Sequence, residues 1–263
     1  MTATDMTDAA PAEVATLVVA DGIATLSLNR PHRHNAVDDA LHERLCTLWT
    51  EALADPAARV ILLRGEGPSF CSGRDTAQLG ERVAGESDLS FVRRHQQTRL
   101  LQLDSPKPVV AAVRGNALGG GLESALAADV RIAAEDLRMA FPEIRYGLMT
   151  DTGGAALATI LAGPSRAKWM LMTGRSVDAA TALAWGLVDE VVPAAQLDER
   201  AREVAAELAA MPQEALAMIK QTVDGMWRGA RDHALHAELV SQVALFSGAD
   251  YRARKAARLG GGS

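Results

Sequence analysis

The sequence predicts an α/β protein in which strand–strand–helix units precede an all-helical C-terminal part. Three observations support this. Two β-rich runs, at 14–20 and 23–29, flank Asp21-Gly22, which is a strong hairpin signal. Short apolar strands then alternate with runs of helical period. From about residue 197 onward, only amphipathic helical patterns remain.

The N-terminal elements follow in order. Arg30-Pro31 ends the hairpin, and a helix is predicted over 37–54 because its apolar residues, from Leu41 to Leu53, recur at spacings of three and four. Asp55-Pro56 stops that helix. A short strand at 60–64 leads to a glycine turn at 70–75 (FCSGRD). Residues 76–90 carry glycines and many charges, which predicts a loop with broken helical turns.

The middle of the chain is organised around residues 106–152. The predicted elements are a helix at 91–103, a strand at 109–113, a turn at 114–121, a helix from about 121 to 128, and strands at 130–133 and 138–141. In this order, a buried strand precedes the glycine run 119–121, and the run itself stands at the start of a helix. Such a turn lets a ligand approach outward-pointing backbone N–H groups.

The remaining pattern is mostly helical. A helix at 155–161 ends before Gly163-Pro164; Ser165 is predicted to cap a second helix and Ser176 a third, which ends at Gly186. A last strand is predicted at 187–192. The final helices are expected at about 197–210, 213–224, 230–246 and 249–258.

Composition excludes several classes of protein. The 263 residues, 48% of them hydrophobic, suffice for a full-sized core. A net charge of -6 without an arginine-rich arm gives no support for nucleic-acid binding. No apolar run reaches the roughly 18 residues of a membrane span, and the first residues do not resemble a secretory signal. Two cysteines form no disulfide framework, and the histidines show no metal-ligand spacing with them. We therefore expect a soluble, cytoplasmic protein with no metal and no membrane partner.

Two glycine turns are the first candidates for chemistry. The turns at 72–75 and 119–121 each follow a strand and could each present one N–H group to the same oxygen. Two such donors would form an oxyanion hole, in which one donor is typically worth about 3 kcal/mol of barrier. Either turn alone is better explained as an ordinary tight turn.

Three acids accompany these turns. Glu123 projects from an apolar helix, where a carboxylate without partners is costly, although a helix start could stabilise it. Glu143 follows a proline in a loop and could simply pair with Arg145. Asp151 precedes Thr152-Gly153 and could simply cap the next helix. Backbone donors with two carboxylates suit chemistry at a carbonyl and its neighbouring carbons.

Six motifs in order resemble the crotonase, or enoyl-CoA hydratase/isomerase, superfamily. The resemblance covers about residues 14 to 251. Its pieces are LNRP with NA at 28–36, FCSGRD at 70–75, KPVVAAV at 107–113, ALGGG at 117–121, PEI with GL at 142–148, and WGLV at 185–188. Each motif alone is unspecific, but their order and intervals are specific.

The resemblance implies a spiral core of ββα units, an acyl-CoA thioester substrate, and an oxyanion hole made by the N–H groups of Arg74 and Gly120. It implies that Glu123 and Glu143 add water to a trans-2-enoyl-CoA. Asp151 lies eight residues beyond Glu143, where double-bond isomerases of the family can carry an acid. An isomerase of enoyl- or dienoyl-CoA is therefore an alternative, and a non-catalytic acyl-CoA-binding paralogue is a third.

The resemblance also implies a binding region for CoA, which the substrate carries, so no separate cofactor is expected. His32 and Arg33, with Ser72 and Asp75, are the candidate contacts, although the first two could simply belong to a solvated turn. The basic residues from Arg252 onward could form a lip for the CoA 3'-phosphate.

The same resemblance implies a spiral core (13–195), a helical trimerisation region (196–258) and a homotrimer, often paired into a hexamer. The sequence itself predicts a disordered leader (1–12) and a flexible, glycine-rich tail (259–263).

Overall fold

The structure, a computed structural model, describes residues 13–260. The predicted leader therefore lies outside the described residues, as does the end of the predicted tail. The strands are β1 (Ala15–Ala20), β2 (Ile23–Leu28), β3 (Val60–Gly65), β4 (Val109–Val113), β5 (Asn116–Leu118), β6 (Val130–Ala134), β7 (Arg138–Ala140), β8 (Val177–Asp178) and β9 (Glu190–Val192). The helices are α1 (Asp39–Ala54), α2 (Asp88–Leu103), α3 (Gly120–Leu126), α4 (Gly154–Ala162), α5 (Pro164–Thr173), α6 (Ala179–Trp185), α7 (Leu197–Ala210), α8 (Gln213–Gly225), α9 (Arg228–Phe246) and α10 (Ala249–Gly260).

The α/β class that the sequence predicts is confirmed, and its core contains two sheets. The larger sheet has the order β1-β2-β3-β4-β6-β9. Only the β1–β2 hairpin is antiparallel in it, with Ala20 opposite Ile23 across the predicted Asp21-Gly22 turn. The smaller sheet, β5-β7-β8, stands beside it and carries the turn that precedes α3.

Both faces of the larger sheet are covered, which explains its continuous apolar strands. On one face, α7 inserts Leu197, Ala201 and Ala205, spaced four residues apart, against Leu62 and Val110. On the other face lies the main core, which includes α1, α3 and the smaller sheet. A separate apolar cluster joins α2 to α9 and α10.

Three local predictions were wrong. The predicted turn 114–121 contains strand β5, which was too short to show a period of its own. Ser165 caps nothing, because Pro164 already occupies the first turn of α5 and Gly163 is its N-cap. Ser176 does not cap α6 either, since the Asp178 carboxylate accepts the Thr181 N–H there.

Residues 76–87 of the segment 76–90 form the predicted loop with a broken helical turn, a short 3₁₀ helix at Thr76–Gln78. The Ser87 hydroxyl caps α2, which therefore starts three residues before the predicted Phe91. None of the helices between residues 13 and 260 combines the length and apolar composition that a bilayer crossing requires.

Candidate functional site

The two glycine turns meet in space. Strand β5 runs beside the first turn, where the Cys71 N–H donates to the Asn116 carbonyl (3.0 Å) and the Leu118 N–H donates to the Cys71 carbonyl (2.9 Å). A Cβ on Gly73, whose φ is +85°, would lie only 2.7 Å from the Leu118 carbonyl oxygen. Only glycine allows this approach, and it places the first turn against the start of α3.

Both predicted N–H donors are free. Within residues 13–258, neither the Arg74 N–H nor the Gly120 N–H has a hydrogen-bond acceptor. Both residues line one pocket, together with Glu123, Glu143 and Asp151. Two backbone N–H groups that have no acceptor and lie at one pocket indicate a site for an external oxygen.

The Arg74 side chain points toward α1. Its Nη2 donates to Asp39 (2.8 Å) and to Gln78 (3.4 Å), and its guanidinium carbon lies 5.4 Å from the centre of the Phe91 ring. These contacts hold the long side chain along one wall of the pocket.

Glu123 is buried and fully engaged. Its Oε1 accepts the N–H groups of Thr152 (3.0 Å) and Gly154 (2.8 Å), and its Oε2 accepts the Thr152 hydroxyl (2.7 Å). The carboxylate is thus stabilised mainly by the start of α4, although Glu123 itself belongs to α3. The first four N–H groups of a helix have no acceptor within the helix and need one from outside it. An acceptor-only carboxylate is the form that suits these three donors.

Glu143 has the opposite environment. Burial raises the pKa of its carboxyl well above the ordinary value, and the charge of Glu123 adds to the shift. Its Oε2 is buried without a hydrogen-bond partner among the described residues. Its Oε1 would lie 2.5 Å from a Cβ on Gly119, so a side chain at that position would displace the Glu143 carboxyl group. Arg145 instead donates to the Gly174 carbonyl (2.8 Å), so the suggested ion pair with Glu143 is wrong.

Asp151 lines the same pocket. Burial raises its pKa to about 8, and the charges of Glu123 and Glu238 contribute. The alternative reading of Asp151 as a helix cap is wrong, because the N-cap of α4 is Gly153 and no side chain caps it from that position. Gln242 donates weakly to its Oδ2 (3.4 Å). Burial thus raises the pKa of both Glu143 and Asp151, which share the pocket with an engaged Glu123.

Sequence reasoning missed Glu238. This α9 residue is 1% exposed, and its carboxylate accepts the N–H groups of Gly153 (2.7 Å) and Ala155 (2.9 Å) and the hydroxyl of Thr150 (2.9 Å). Burial raises its pKa to about 7. Glu238 and Glu123 thus bind alternate backbone donors of one helix start.

A sequence signal for Glu238 did exist. Together with Gln242, it is a polar residue on the face of α9 that contains the apolar residues Leu235, Leu239 and Phe246. Polar residues at buried positions of an amphipathic helix indicate a specific hydrogen-bond partner.

The four candidate CoA contacts lie in two places. Ser72 lines the pocket, whereas the other three lie at the turn before α1 and its ion pairs. His32 and Arg33 lie exposed on the turn before α1. Asp75 is buried and pairs with Arg33 (3.3 Å) and Arg30 (3.4 Å), which ties this turn to the glycine loop. The CoA-binding roles of these residues stay predictions.

The chain resembles proteins of one family. Residues 19–257 match the family model described as enoyl-CoA hydratase/isomerase. A 1,2-epoxyphenylacetyl-CoA isomerase from Escherichia coli K12 is 34% identical over 237 residues, which cover 89% of this chain and 90% of the relative. A mevalonyl-coenzyme A hydratase from Beauveria bassiana is 33% identical, with 78% and 76% covered. A carnitinyl-CoA dehydratase from Citrobacter koseri is 37% identical, with 76% of each chain covered.

Solved structures agree with these relatives. An enoyl-CoA hydratase/isomerase from Xanthobacter autotrophicus Py2 has a TM-score of 0.86 at 29% identity, covering 94% of this chain and 93% of that chain. A probable enoyl-CoA hydratase from Mycobacterium smegmatis has a TM-score of 0.79 at 32% identity, covering 88% and 93%.

Proposed function

The chain belongs to the enoyl-CoA hydratase/isomerase family, and we propose that it is an enoyl-CoA hydratase. It would add water across the 2,3 double bond of a trans-2-enoyl-CoA thioester. One observation carries this proposal: Glu123 and Glu143 flank the Gly119–Gly120 turn, where Glu123 accepts three hydrogen bonds from residues 152–154 and burial raises the pKa of the Glu143 carboxyl. Two carboxyl groups in different environments can serve one site as a base and an acid.

The thioester oxygen would bind the N–H groups of Arg74 and Gly120. Their freedom from other acceptors supports this role, and so does the position of Gly120 at the start of α3, where backbone donors point outward. Negative charge builds on this oxygen as the enolate forms, so both donors bind the transition state more strongly than the substrate.

The two glutamates would hold one water molecule. Glu123 accepts a proton from that water as its oxygen bonds to the β carbon, and the π electrons move toward the thioester oxygen. Glu143 then gives its proton to the α carbon. One proton has left water and one has reached carbon, so a proton must pass from Glu123 to Glu143 before the next turnover.

Crotonyl-CoA provides the test. We expect the purified protein to remove the enoyl-thioester absorbance, and Glu143→Gln to abolish that loss because an amide cannot supply the proton. Glu135→Gln, an exposed carboxyl in the turn after β6, serves as the matched control and should keep full activity. Absence of turnover with enoyl-CoAs of every acyl length would refute the proposal.

A double-bond isomerase is the second candidate. The specific observation is that Asp151 shares the pocket and, with a pKa of about 8, holds a transferable proton at neutral pH. Reaction in ¹⁸O-labelled water separates the candidates, because hydration places solvent oxygen on the β carbon whereas isomerisation places only solvent hydrogen on carbon. If Asp151→Asn leaves turnover intact while Glu143→Gln abolishes it, the isomerase loses its distinguishing residue.

A non-catalytic acyl-CoA-binding protein would require a blocked acyl slot. The contacts of Arg74 with Asp39 and Gln78 argue against such a block, because they draw the guanidinium toward α1. Binding of CoA esters without turnover of any would nevertheless favour this third reading.

We further propose a cytoplasmic homotrimer or pair of trimers that needs no cofactor besides the CoA of its substrate. A row of exposed apolar side chains on and after α8 supports subunit packing: Met218, Ile219, Val223 and Met226 are 60% to 86% exposed. Light scattering after size-exclusion chromatography should give three or six chain masses. Activity should survive dialysis against a chelator.

A further inference from the structure

We propose that Glu238 is a positioning residue for Glu123, whose carboxylate it holds in place by taking the neighbouring backbone donors at the start of α4. The inference rests on the proposed hydratase function and goes beyond it by assigning a role to a residue outside the pocket. Among the described residues that line the pocket, Glu123 is present and Glu238 is not. Glu238 can therefore act on the reaction only through its neighbours.

Two buried carboxyl groups divide the donors around the start of α4 evenly. Glu123 accepts three hydrogen bonds of 2.7 to 3.0 Å, which come from Thr152 and Gly154. Glu238 accepts three of 2.7 to 2.9 Å, which come from Thr150, Gly153 and Ala155. The two sets of N–H groups alternate along the backbone and share no donor. Neither carboxyl group can move without leaving buried donors unsatisfied.

Capping of the helix does not by itself explain two carboxyl groups. The N-cap of α4 is Gly153, which has no side chain to accept a hydrogen bond. A serine or aspartate at the N-cap would satisfy donors of the helix locally. Burying a second carboxyl group beside the first is costly even when both are hydrogen-bonded. The second group therefore indicates a role in the site as well as in the helix.

Close packing connects Glu238 to Glu123. The Thr150 hydroxyl donates to Oε1 of Glu238 (2.9 Å). A Cβ on Gly154 would lie 2.6 Å from Cγ2 of Thr150 and 2.9 Å from Oε1 of Glu123, so these groups pack against the bare Cα of the glycine. Because a packed interior transmits displacements, a shift of the Glu238 carboxyl group would reach Glu123 through Thr150 and Gly154.

The proposed base depends on this orientation. Within residues 13–258, Oε2 of Glu123 accepts only the Thr152 hydroxyl, and a Cβ on Gly120 would lie 3.8 Å from this oxygen. Oε2 therefore lies beside the oxyanion turn and keeps an acceptor position for the water of the proposed reaction. Without Glu238, two N–H groups of α4 would lose their acceptor and compete for Glu123, which would turn Oε2 away from that water.

Helix α9 holds the same segment at a second point. Gln242, one turn after Glu238, accepts the Met149 N–H (3.2 Å) and donates weakly to Asp151 (3.4 Å). From α2, Gln96 donates to the Asp151 carbonyl (2.8 Å). Of these three anchors, Glu238 shares the start of α4 with the proposed base. Its loss should therefore disturb the base while the other two anchors keep the segment in place.

Glu238→Gln is the first test. The amide keeps the size of the side chain but directs hydrogens at backbone donors that need acceptors. We expect kcat for crotonyl-CoA hydration to fall about ten- to hundredfold, because a catalytic group misplaced by about 1 Å can cost about that much. KM should stay within about twofold, since Glu123 binds the water rather than the thioester. Asp232→Asn, exposed on the same helix, is the control and should keep full activity. Burial raises the pKa of Glu238 to about 7, so the comparison is made at pH 8, where its carboxylate is ionised.

Two readouts separate misplacement of Glu123 from a general loss of fold. Titration with butyryl-CoA counts the competent sites, so that kcat is expressed per site. Exchange of the α hydrogen of butyryl-CoA with deuterated water needs Glu143 but not Glu123, since ionised Glu143 removes the α proton and then returns a deuteron to the same carbon. This exchange should stay within about twofold in Glu238→Gln. An equal fall of hydration and α exchange would overturn the inference. Glu238→Asp keeps a carboxylate and should recover part of kcat, and a kcat no higher than that of Glu238→Gln would contradict the proposed role.

Amide hydrogen exchange, resolved by residue, reports on Glu123 without any turnover. In Glu238→Gln, the amides that Glu123 binds, those of Thr152 and Gly154, should exchange with solvent at least about tenfold faster. Unchanged protection of these two amides would show that Glu238 serves only the helix, and would overturn the inference. Glu238→Asp allows the same comparison if Glu238→Gln does not fold.

The inference and the hydratase proposal fail in different ways. If the unaltered protein and Glu238→Gln hydrate crotonyl-CoA equally well, the positioning role is wrong and the hydratase stands. If no enoyl-CoA is hydrated, while Glu238→Gln still accelerates amide exchange at Thr152 and Gly154, the positioning of Glu123 stands and the hydratase is wrong.

Discussion

Replacing Asp151 by Asn should stabilise the protein progressively as the pH rises. The folded pKa of Asp151 is raised to about 8 by burial and by the charges of Glu123 and Glu238. The unfolded chain ionises this group near pH 4, so between pH 5 and 7 the folded state holds a proton that the unfolded state has released. A group with a raised folded pKa stabilises the fold below its unfolded pKa, and this contribution is lost as the pH rises toward the folded value.

The magnitude follows from linkage. One proton held only by the folded state makes stability fall by about 1.4 kcal/mol per pH unit, so two units amount to an upper limit of about 2.7 kcal/mol. Asp151 is partly exposed to the pocket, where water screens the charge. We therefore expect the stability of Asp151→Asn relative to the unaltered protein to rise by about 1 to 2 kcal/mol between pH 5 and pH 7.

Urea unfolding at pH 5, 6 and 7, at one protein concentration, measures this difference. Asp250→Asn, an exposed carboxyl in the first turn of α10, should show no comparable trend. A stability difference for Asp151→Asn that stays flat or shrinks with rising pH would show that Asp151 is already ionised in the fold. That result would also remove the main support for an isomerase.

Three further predictions concern the residues around this site. Gly119→Ala should lower the free energy of unfolding by about 1 to 3 kcal/mol, because the φ of Gly119 is +53° and a Cβ would lie 2.5 Å from a carboxyl oxygen of Glu143. Gly85→Ala is the control, since Gly85 has a φ of +81° but open space around it, so it measures the backbone cost alone. Equal losses in the two variants would show that the contact with Glu143 costs nothing. Glu238→Gln should lower the pKa of Asp151 by about one unit, since a like charge disappears; an unchanged carboxyl ¹³C NMR titration would mean no coupling. Burial lowers the pKa of His42 in the folded state to about 4, so its contribution to stability is present above pH 6.5 and is lost as the pH falls toward 4. In urea unfolding, His42→Gln should therefore lose less stability than the unaltered protein between pH 6.5 and pH 4. The same dependence of stability on pH in both proteins would contradict this prediction.

Most of the fold was predictable because its signals are local. The Asp21-Gly22 hairpin and the apolar strand at 109–113 occur where the sequence places them. The four C-terminal helices lie within a few residues of their predicted bounds. The failures are equally local in cause: β5 has only three residues, which is too few to establish a period of two.

The candidate site was predictable only in its parts. The glycine turns and the three acids could be selected because unusual residue types stand next to helix starts. Their surroundings could not be predicted, since Glu238 lies 87 residues beyond Asp151 in the chain and contacts Thr150, Gly153 and Ala155 only through the packing of α9 against α4. The same holds for Arg99, whose contact with the Gly120 carbonyl spans 21 residues.

The sequence by itself determined the α/β class, the order of its elements and the positions of the two glycine turns. These depend on backbone preferences and on hydrophobic period, which neighbouring residues specify. Only the tertiary structure decided the chemical state of each acid. Glu123 sits on the donors of α4, whereas Glu143 and Asp151 lie in a pocket with few donors to stabilise a charge. Whether a carboxyl group holds its proton depends on the solvent and charges around it, and those are brought together from distant parts of the chain.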